Sequence, residues 1–120
     1  MVLIKFENSH EKVAMDLLSF MSSEQKLNVL HHTIHLYEED PNWHLYFWKV
    51  DENFVGAIGI ELNEHTFNVH HASVHPDFRN EGIGHIMVEH VQRLHEPLAM
   101  SATPETKDFL AKCWEHQFSG

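Results

Sequence analysis

The sequence predicts a mixed α/β (α+β) fold, one mainly antiparallel sheet flanked by helices in the order β-α-α-β-β-β-α-β-α. Three observations carry this. Apolar residues recur at helical spacing in four stretches. Three aromatic and β-branched runs in the middle of the chain are joined by turns of a few residues, which makes them an antiparallel meander. The helix after the meander is entered through a turn holding Gly82 and Gly84, a composition that helix formation alone does not explain.

The elements follow in order. "VLIKF" is a short first strand. Asn8 with Glu11 forms a capping box, and Val13, Leu17 and Phe20 follow on one face. Ser22 with Gln25 repeats that signal and opens a second helix carrying Leu27, Leu30, Ile34 and Tyr37, which ends before "EEDPN". The runs "WHLYFWKV", "FVGAIGIEL" and "TFNVHHASV" are strands, separated by the turns "DEN" and "NEH". Gly56 and Gly59 mark a bulge or a close backbone approach within the second of them. An amphipathic helix with Ile83, Met87, Val91 and Leu94 on its core face comes next, then a short strand in "PLAMS". Thr103 caps a last helix with Pro104 at its first position, running through Phe109 to about Cys113. The tail "WEHQFSG" leaves room for one closing strand.

Residues 1–120 read as a single domain, long enough to bury a core without staples. The one cysteine, Cys113, excludes an internal disulfide, fits a reducing compartment and reads as a small buried apolar residue. The N-terminus has no signal-peptide pattern, and no stretch approaches the roughly 20 apolar residues of a membrane span. A cytoplasmic protein with no membrane partner is expected. The formal charge of −10 and the few scattered Lys and Arg residues provide no basic patch, which argues against nucleic acid. The acidity fits a cationic small-molecule substrate, and equally fits plain solubility. His31 and His35 stand one helical turn apart, a metal-ligand spacing, but no Cys or carboxylate stands in motif register with them. No metal is expected.

Glycine within a helix costs about 1 kcal/mol relative to alanine, so Gly82 and Gly84 need a reason. Backbone N–H groups at a helix N-terminus, with the macrodipole, attract anions. Glycine lets the backbone approach a bulky phosphate and take positive φ. Arg79 adds charge-assisted hydrogen bonds. A diphosphate suits this turn. A P-loop is excluded because His85, not Lys, follows Gly84. A dinucleotide fingerprint is excluded because Met87 stands where its third glycine belongs. What is left is Arg-x-x-Gly-x-Gly between a strand ending in "SVHP" and a long helix.

"ASVHPDFRNEGIGHIMVEHV" resembles the acyl-CoA-binding core of the GNAT N-acetyltransferase family, and the element order is similar over nearly the whole chain. More narrowly, "EKVAMDLLSFM", the paired "LYFWK" and "VGAIGIE" strands and the small size resemble the short RibT-type acetyltransferases encoded with riboflavin genes. The resemblance implies acetyl-CoA as co-substrate and an amine as acceptor. Its pyrophosphate would lie on the backbone of Arg79, Asn80, Glu81, Gly82, Ile83, Gly84 and His85, with the Glu81 carboxylate turned to solvent. Ala72, Ser73 and Val74 would offer backbone to the pantetheine arm, whose amides suit a strand edge. The N–H of Val74 or a neighbour would take the oxyanion.

Candidate bases for the amine are Glu61, Glu64, His70 and His71, each of which also has a plain structural or solvated reading. By strand alternation His70 shares a face with Ala72, and His71 with Ser73. The sequence also departs from the family. Leu110 follows Phe109 where members carry the tyrosine taken as the acid for the departing thiolate. Glu105 and Thr106 stand near the place of a missing asparagine. The chain ends where members usually continue into a last pair of strands. Two readings therefore stay open: an N-acetyltransferase, or a non-catalytic acyl-CoA-binding regulatory module. A homodimer formed through Trp114 and Phe118 of the tail is a further expectation.

Overall fold

The computed structural model describes residues 2–79 and 81–112. The expectations placed on Asn80, on Cys113 and on the tail with Trp114 and Phe118 lie outside these residues. Five strands form one sheet in sequence order: β1 (Val2–Lys5), β2 (Trp43–Val50), β3 (Asn53–Leu62), β4 (Thr66–Val74) and β5 (Ala99–Ala102). All neighbours are antiparallel except β4 and β5, which are parallel and joined through a helix. The helices are α1 (Glu11–Leu18), α2 (Leu27–Glu39) and α3 (Ile83–Leu94), with residues 107–112 also helical.

The central strands lie where their aromatic and β-branched runs put them, because those runs bury both faces of the sheet. One face packs on α3. Its core holds Trp48, Ile58, Ile60, Phe67, Val69, Met87, Val91 and Leu110. The other packs on α1 and α2 through Leu17, Leu18, Leu30, Ile34, Tyr37, Leu45 and Phe47. Full burial of one such side chain contributes about 1.5–3 kcal/mol.

Local cap signals were less faithful. The capping box joins Glu7 and His10 around a 3-10 turn at Asn8–His10, not Asn8 and Glu11. The His10 ring reaches back to the Glu7 N–H at 3.1 Å and takes the role assigned to Glu11. Ser22–Glu24 is a separate 3-10 turn, and Lys26 caps α2. The expected apolar faces are each one residue too long. Leu27 and Leu94 are exposed at 61% and 56%, since both sit at helix ends that overhang the sheet, and Phe20 lies beyond α1.

A bulge in β4 reverses another expectation. Gly59 pairs with His71, but Ile60 pairs with Val69, so His70 is an extra residue. The bulge breaks alternation. Val69 and Ala72 face α3, while His70 and His71 both turn toward α2, their rings 6.4 Å apart. Opposite the bulge, a Cβ on Gly59 would stand 1.9 Å from the Tyr37 hydroxyl oxygen, so glycine there makes room for α2.

Candidate functional site

β5 accompanies β4 only as far as the pair Val69–Ala102. The chain then turns away, held by the Thr103 and Thr106 hydroxyls, which donate to the Val69 carbonyl at 3.2 and 2.7 Å. Beyond Val69 no described strand pairs with that edge of β4. The backbone there still points outward. His75 N–H donates to Val55 on β3 at 2.8 Å, so by alternation the backbone groups of Ala72 and Val74 face away from β3. Ala72 N–H points at the Met21 sulfur, 3.4 Å away, and the Val74 carbonyl accepts from Arg79 Nε at 3.0 Å.

Across the gap stands the start of α3. Gly82 is its N-cap with φ 77°, a left-handed conformation natural to glycine. Ile86 N–H makes a helical bond to the Gly82 carbonyl at 3.1 Å, so the N–H groups of Ile83 and Gly84 precede the helical ladder. The gap is a cavity of about 490 Å³. Ala72, Ser73 and Val74 form one wall, and Arg79, Gly82, Ile83, Gly84 and His85 another. Glu81 is exposed. His85 also stands one turn from Glu89, at 3.5 Å.

Sequence reasoning missed the third wall, formed by Phe20, Met21, Ser22 and Ser23 of the α1–α2 connection; the fourth comes from Glu105 and Phe109, both singled out in the sequence, with Lys112. A short cap between two helices carries no signal that it overhangs a strand edge. The role given to Gly84 also changes. A Cβ there would stand 2.9 Å from the tip of the Phe109 ring, so this glycine admits the last helix as well as any ligand.

Of the candidate bases, Glu61 and His70 form a pair, Oε1 to Nε2 at 2.9 Å, partly open to solvent, with the His70 ring stacked on Trp43 at 4.4 Å. Glu64 lies on the exposed β3–β4 turn beside His65. Six residues of strand, about 20 Å, separate that turn from Ala72. His71 is buried. Its Nε2 stands 2.8 Å from Glu24 Oε1 and its Nδ1 2.5 Å from the Tyr37 hydroxyl, and Thr33 donates to the other Glu24 oxygen at 2.8 Å. Burial alone would raise the Glu24 pKa, but hydrogen bonds from His71 and Thr33 and the charges of His71 and His32 outweigh it and hold it below the ordinary value. Burial, then the Glu24 and Glu61 charges, push the Tyr37 phenol well above 10, so it stays a donor. Glu24 thus accepts from His71 Nε2, and the Tyr37 hydroxyl closes the other side of the ring at Nδ1. Among the described residues no group of three His, Cys, Asp or Glu side chains could hold a metal ion, and no helix is long and apolar enough to cross a membrane.

A five-strand sheet whose fourth strand opens toward a glycine turn at a helix start is the arrangement expected from the sequence, and comparison with known proteins places it in a family. Residues 12–102 match the model of the Acetyltransferase (GNAT) family, and the chain belongs to that family. It is 36% identical over 113 residues, 93% of this chain and 94% of the other, to an uncharacterized N-acetyltransferase in the lysA 3′ region of Bacillus methanolicus. Among solved structures, AAC(6′)-Iy in complex with the bisubstrate analog CoA-S-monomethyl-acetylneamine is similar at a TM-score of 0.76 and 12% identity, over 99% of this chain and 88% of that one. A ribosomal-protein-alanine N-acetyltransferase from Brucella melitensis biovar Abortus 2308 is similar at 0.72 and 20% identity, over 97% and 89%.

Proposed function

We propose that this protein is an N-acetyltransferase that moves an acetyl group from acetyl-CoA to a primary amine. The observation that carries it is the outward-facing backbone of Ala72 and Val74 opposite the Gly82 turn, across a cavity lined by both. The N–H groups of Ile83 and Gly84 suit the pyrophosphate, and the Arg79 guanidinium lines the same cavity. The Ala72–Val74 edge suits the pantetheine amides. The acyl oxygen finds its donor in an outward N–H of that edge. Val74 and Ala72 both supply one; at Ala72 its present partner is a thioether, a weak acceptor that a carbonyl oxygen can replace.

The amine attacks the thioester carbon directly. A C–N bond forms, the C–S bond breaks, and the amine proton passes to a base while the sulfur leaves as a thiolate that takes its proton from water. None of the four candidate bases lines the cavity, and both nitrogens of His71 are engaged by protein groups, which leaves the partly solvent-open Glu61–His70 pair as the base, taking the proton through water. The RibT-type resemblance narrows the grouping without naming an acceptor, because no residue at the site speaks for a flavin or its precursor. Calorimetry with acetyl-CoA, then thiol release across a panel of amines, tests the reading. Absence of acetyl-CoA binding would refute it. Binding without thiol release for any amine would leave a non-catalytic acyl-CoA-binding module.

A further inference from the structure

We infer that Met21 sets the length of acyl chain this site accepts, acting as a movable cap on the Ala72 N–H. The inference rests on the acyl-CoA reading above and adds a specificity determinant to it. Met21 is 9% exposed, yet it lines the cavity, and its sulfur lies 3.4 Å from the Ala72 nitrogen on the outward side of β4. It therefore stands where a carbonyl oxygen bound to that N–H would stand. A thioether is a weak acceptor and a carbonyl a better one, so the exchange is favourable at the donor.

The backbone around Met21 is fixed on three sides. Its N–H donates to Leu18 at 3.0 Å, and its carbonyl accepts from Glu24 at 3.0 Å. The Glu24 carboxylate is anchored on His71 and Thr33, and the Ser73 hydroxyl donates to the Leu17 carbonyl at 2.7 Å. Three consecutive β4 residues, His71, Ala72 and Ser73, are thus tied to the segment from Leu17 to Glu24. With the backbone held, the yielding part is the side chain, unbranched and with three rotatable bonds. Once displaced it lies beside the acyl group and walls its far end. An acetyl methyl then fits, and each further methylene competes with Met21 for volume. One methylene in a closed apolar pocket is worth tenfold discrimination or more.

The test is titration calorimetry of the full chain with CoA, acetyl-CoA and butyryl-CoA, which needs no acceptor. The wild type should bind acetyl-CoA at least about tenfold tighter than butyryl-CoA. Met21→Ala should bring the acetyl-CoA and butyryl-CoA affinities within about threefold of each other, and Met21→Leu, which keeps the bulk, should keep the preference. If the alanine variant does not fold, Met21→Val replaces it. On the wild type, the Ala72 amide resonance should move further with acetyl-CoA than with CoA. A smaller variant that binds CoA and keeps the wild-type preference, or an Ala72 amide that moves no further with acetyl-CoA than with CoA, overturns the role of Met21 alone. A wild type that binds none of the three overturns the acyl-CoA reading, and this inference with it.

Discussion

Glu24 and His71 meet at 2.8 Å in the interior and join the α1–α2 connection to the bulged segment of β4. Each is more than nine-tenths buried. The pair is the hinge pin of one wall of the cavity, and its energetics are open to test.

Glu24→Ala removes the partner of both His71 and Thr33 and leaves polar atoms buried without compensation. A loss of about 1–3 kcal/mol in unfolding free energy is expected. The pH dependence has a definite sign. The folded pKa of Glu24 lies below the ordinary value of 4.5, so its contribution is complete above that value and fades as pH falls through the folded pKa. Urea titrations from pH 7 to pH 3 should show a shallower acid limb in Glu24→Gln than in the wild type. Identical limbs would place the stabilisation elsewhere.

A second titrating cluster lies on the α3 face. The Tyr46 hydroxyl is 3.0 Å from His95 Nε2, with the His44 ring 6.2 Å from that of His95. Burial, and then the charge of Lys5, lowers the His44 pKa; burial, then His44 and Lys5, lowers that of His95. Both stay neutral in the fold at pH values where the unfolded chain binds protons. Stability should therefore fall as pH drops below 6.5, the ordinary value for histidine, and level off beneath the folded values. His44→Phe with His95→Gln, which keeps an acceptor for Tyr46, should flatten that slope between pH 7.5 and 5.5 in urea midpoints. An unchanged slope would count against the assignment.

The glycine turn divides into two effects that the sequence could not separate. Gly82 sits at φ 77°, where a side chain is strained whatever the surrounding space. Gly82→Ala should cost about 1–2 kcal/mol without adding bulk of consequence to the cavity. Gly84→Val instead drives into Phe109, so it should loosen residues 107–112, read as faster amide exchange there, as well as weaken CoA binding. Unchanged exchange at Leu110 would mean that Phe109 is not held by this contact.

The strands and α3 were legible because hydrophobic periodicity reports burial directly, and "TFNVHHASV" coincides with β4 residue for residue. The glycine turn was legible because only a few backbone geometries need that spacing. The bulge at His70 was not, since an extra residue in a strand depends on the register of its neighbour, which a single sequence does not display. The partnership of Glu24 with His71 spans 47 positions and crosses from a turn to a strand, so nothing local announces it. Local cap signals erred for the opposite reason. Asn8 with Glu11 satisfies the short-range rule and Glu7 with His10 does not, yet the structure uses the latter pair, and tertiary packing of the His10 ring on Phe47, at 5.6 Å, favours it.

Leu110 decides how the leaving thiol is treated. It is 2% exposed and belongs to the core against α3, while its neighbour Phe109 takes the cavity wall and sets its ring tip against Gly84. Neither position has room for a phenol. A thiol has a pKa near 8.5, so expelling it as a thiolate at pH 7 is uphill by roughly 1.5 pKa units, or about 2 kcal/mol. A missing positioned acid lowers the rate typically 10²–10⁴-fold without abolishing it, because orientation and the oxyanion contact do not depend on it. If the proposed chemistry holds, the turnover number should rise from pH 7 to pH 9 at saturating amine. Leu110→Tyr should not raise it. That substitution overpacks the core and buries a hydroxyl, for an expected loss of about 1–3 kcal/mol, visible as a lower melting temperature. A Leu110→Tyr variant as stable as the wild type and faster at neutral pH would show that residue 110 reaches the sulfur after all.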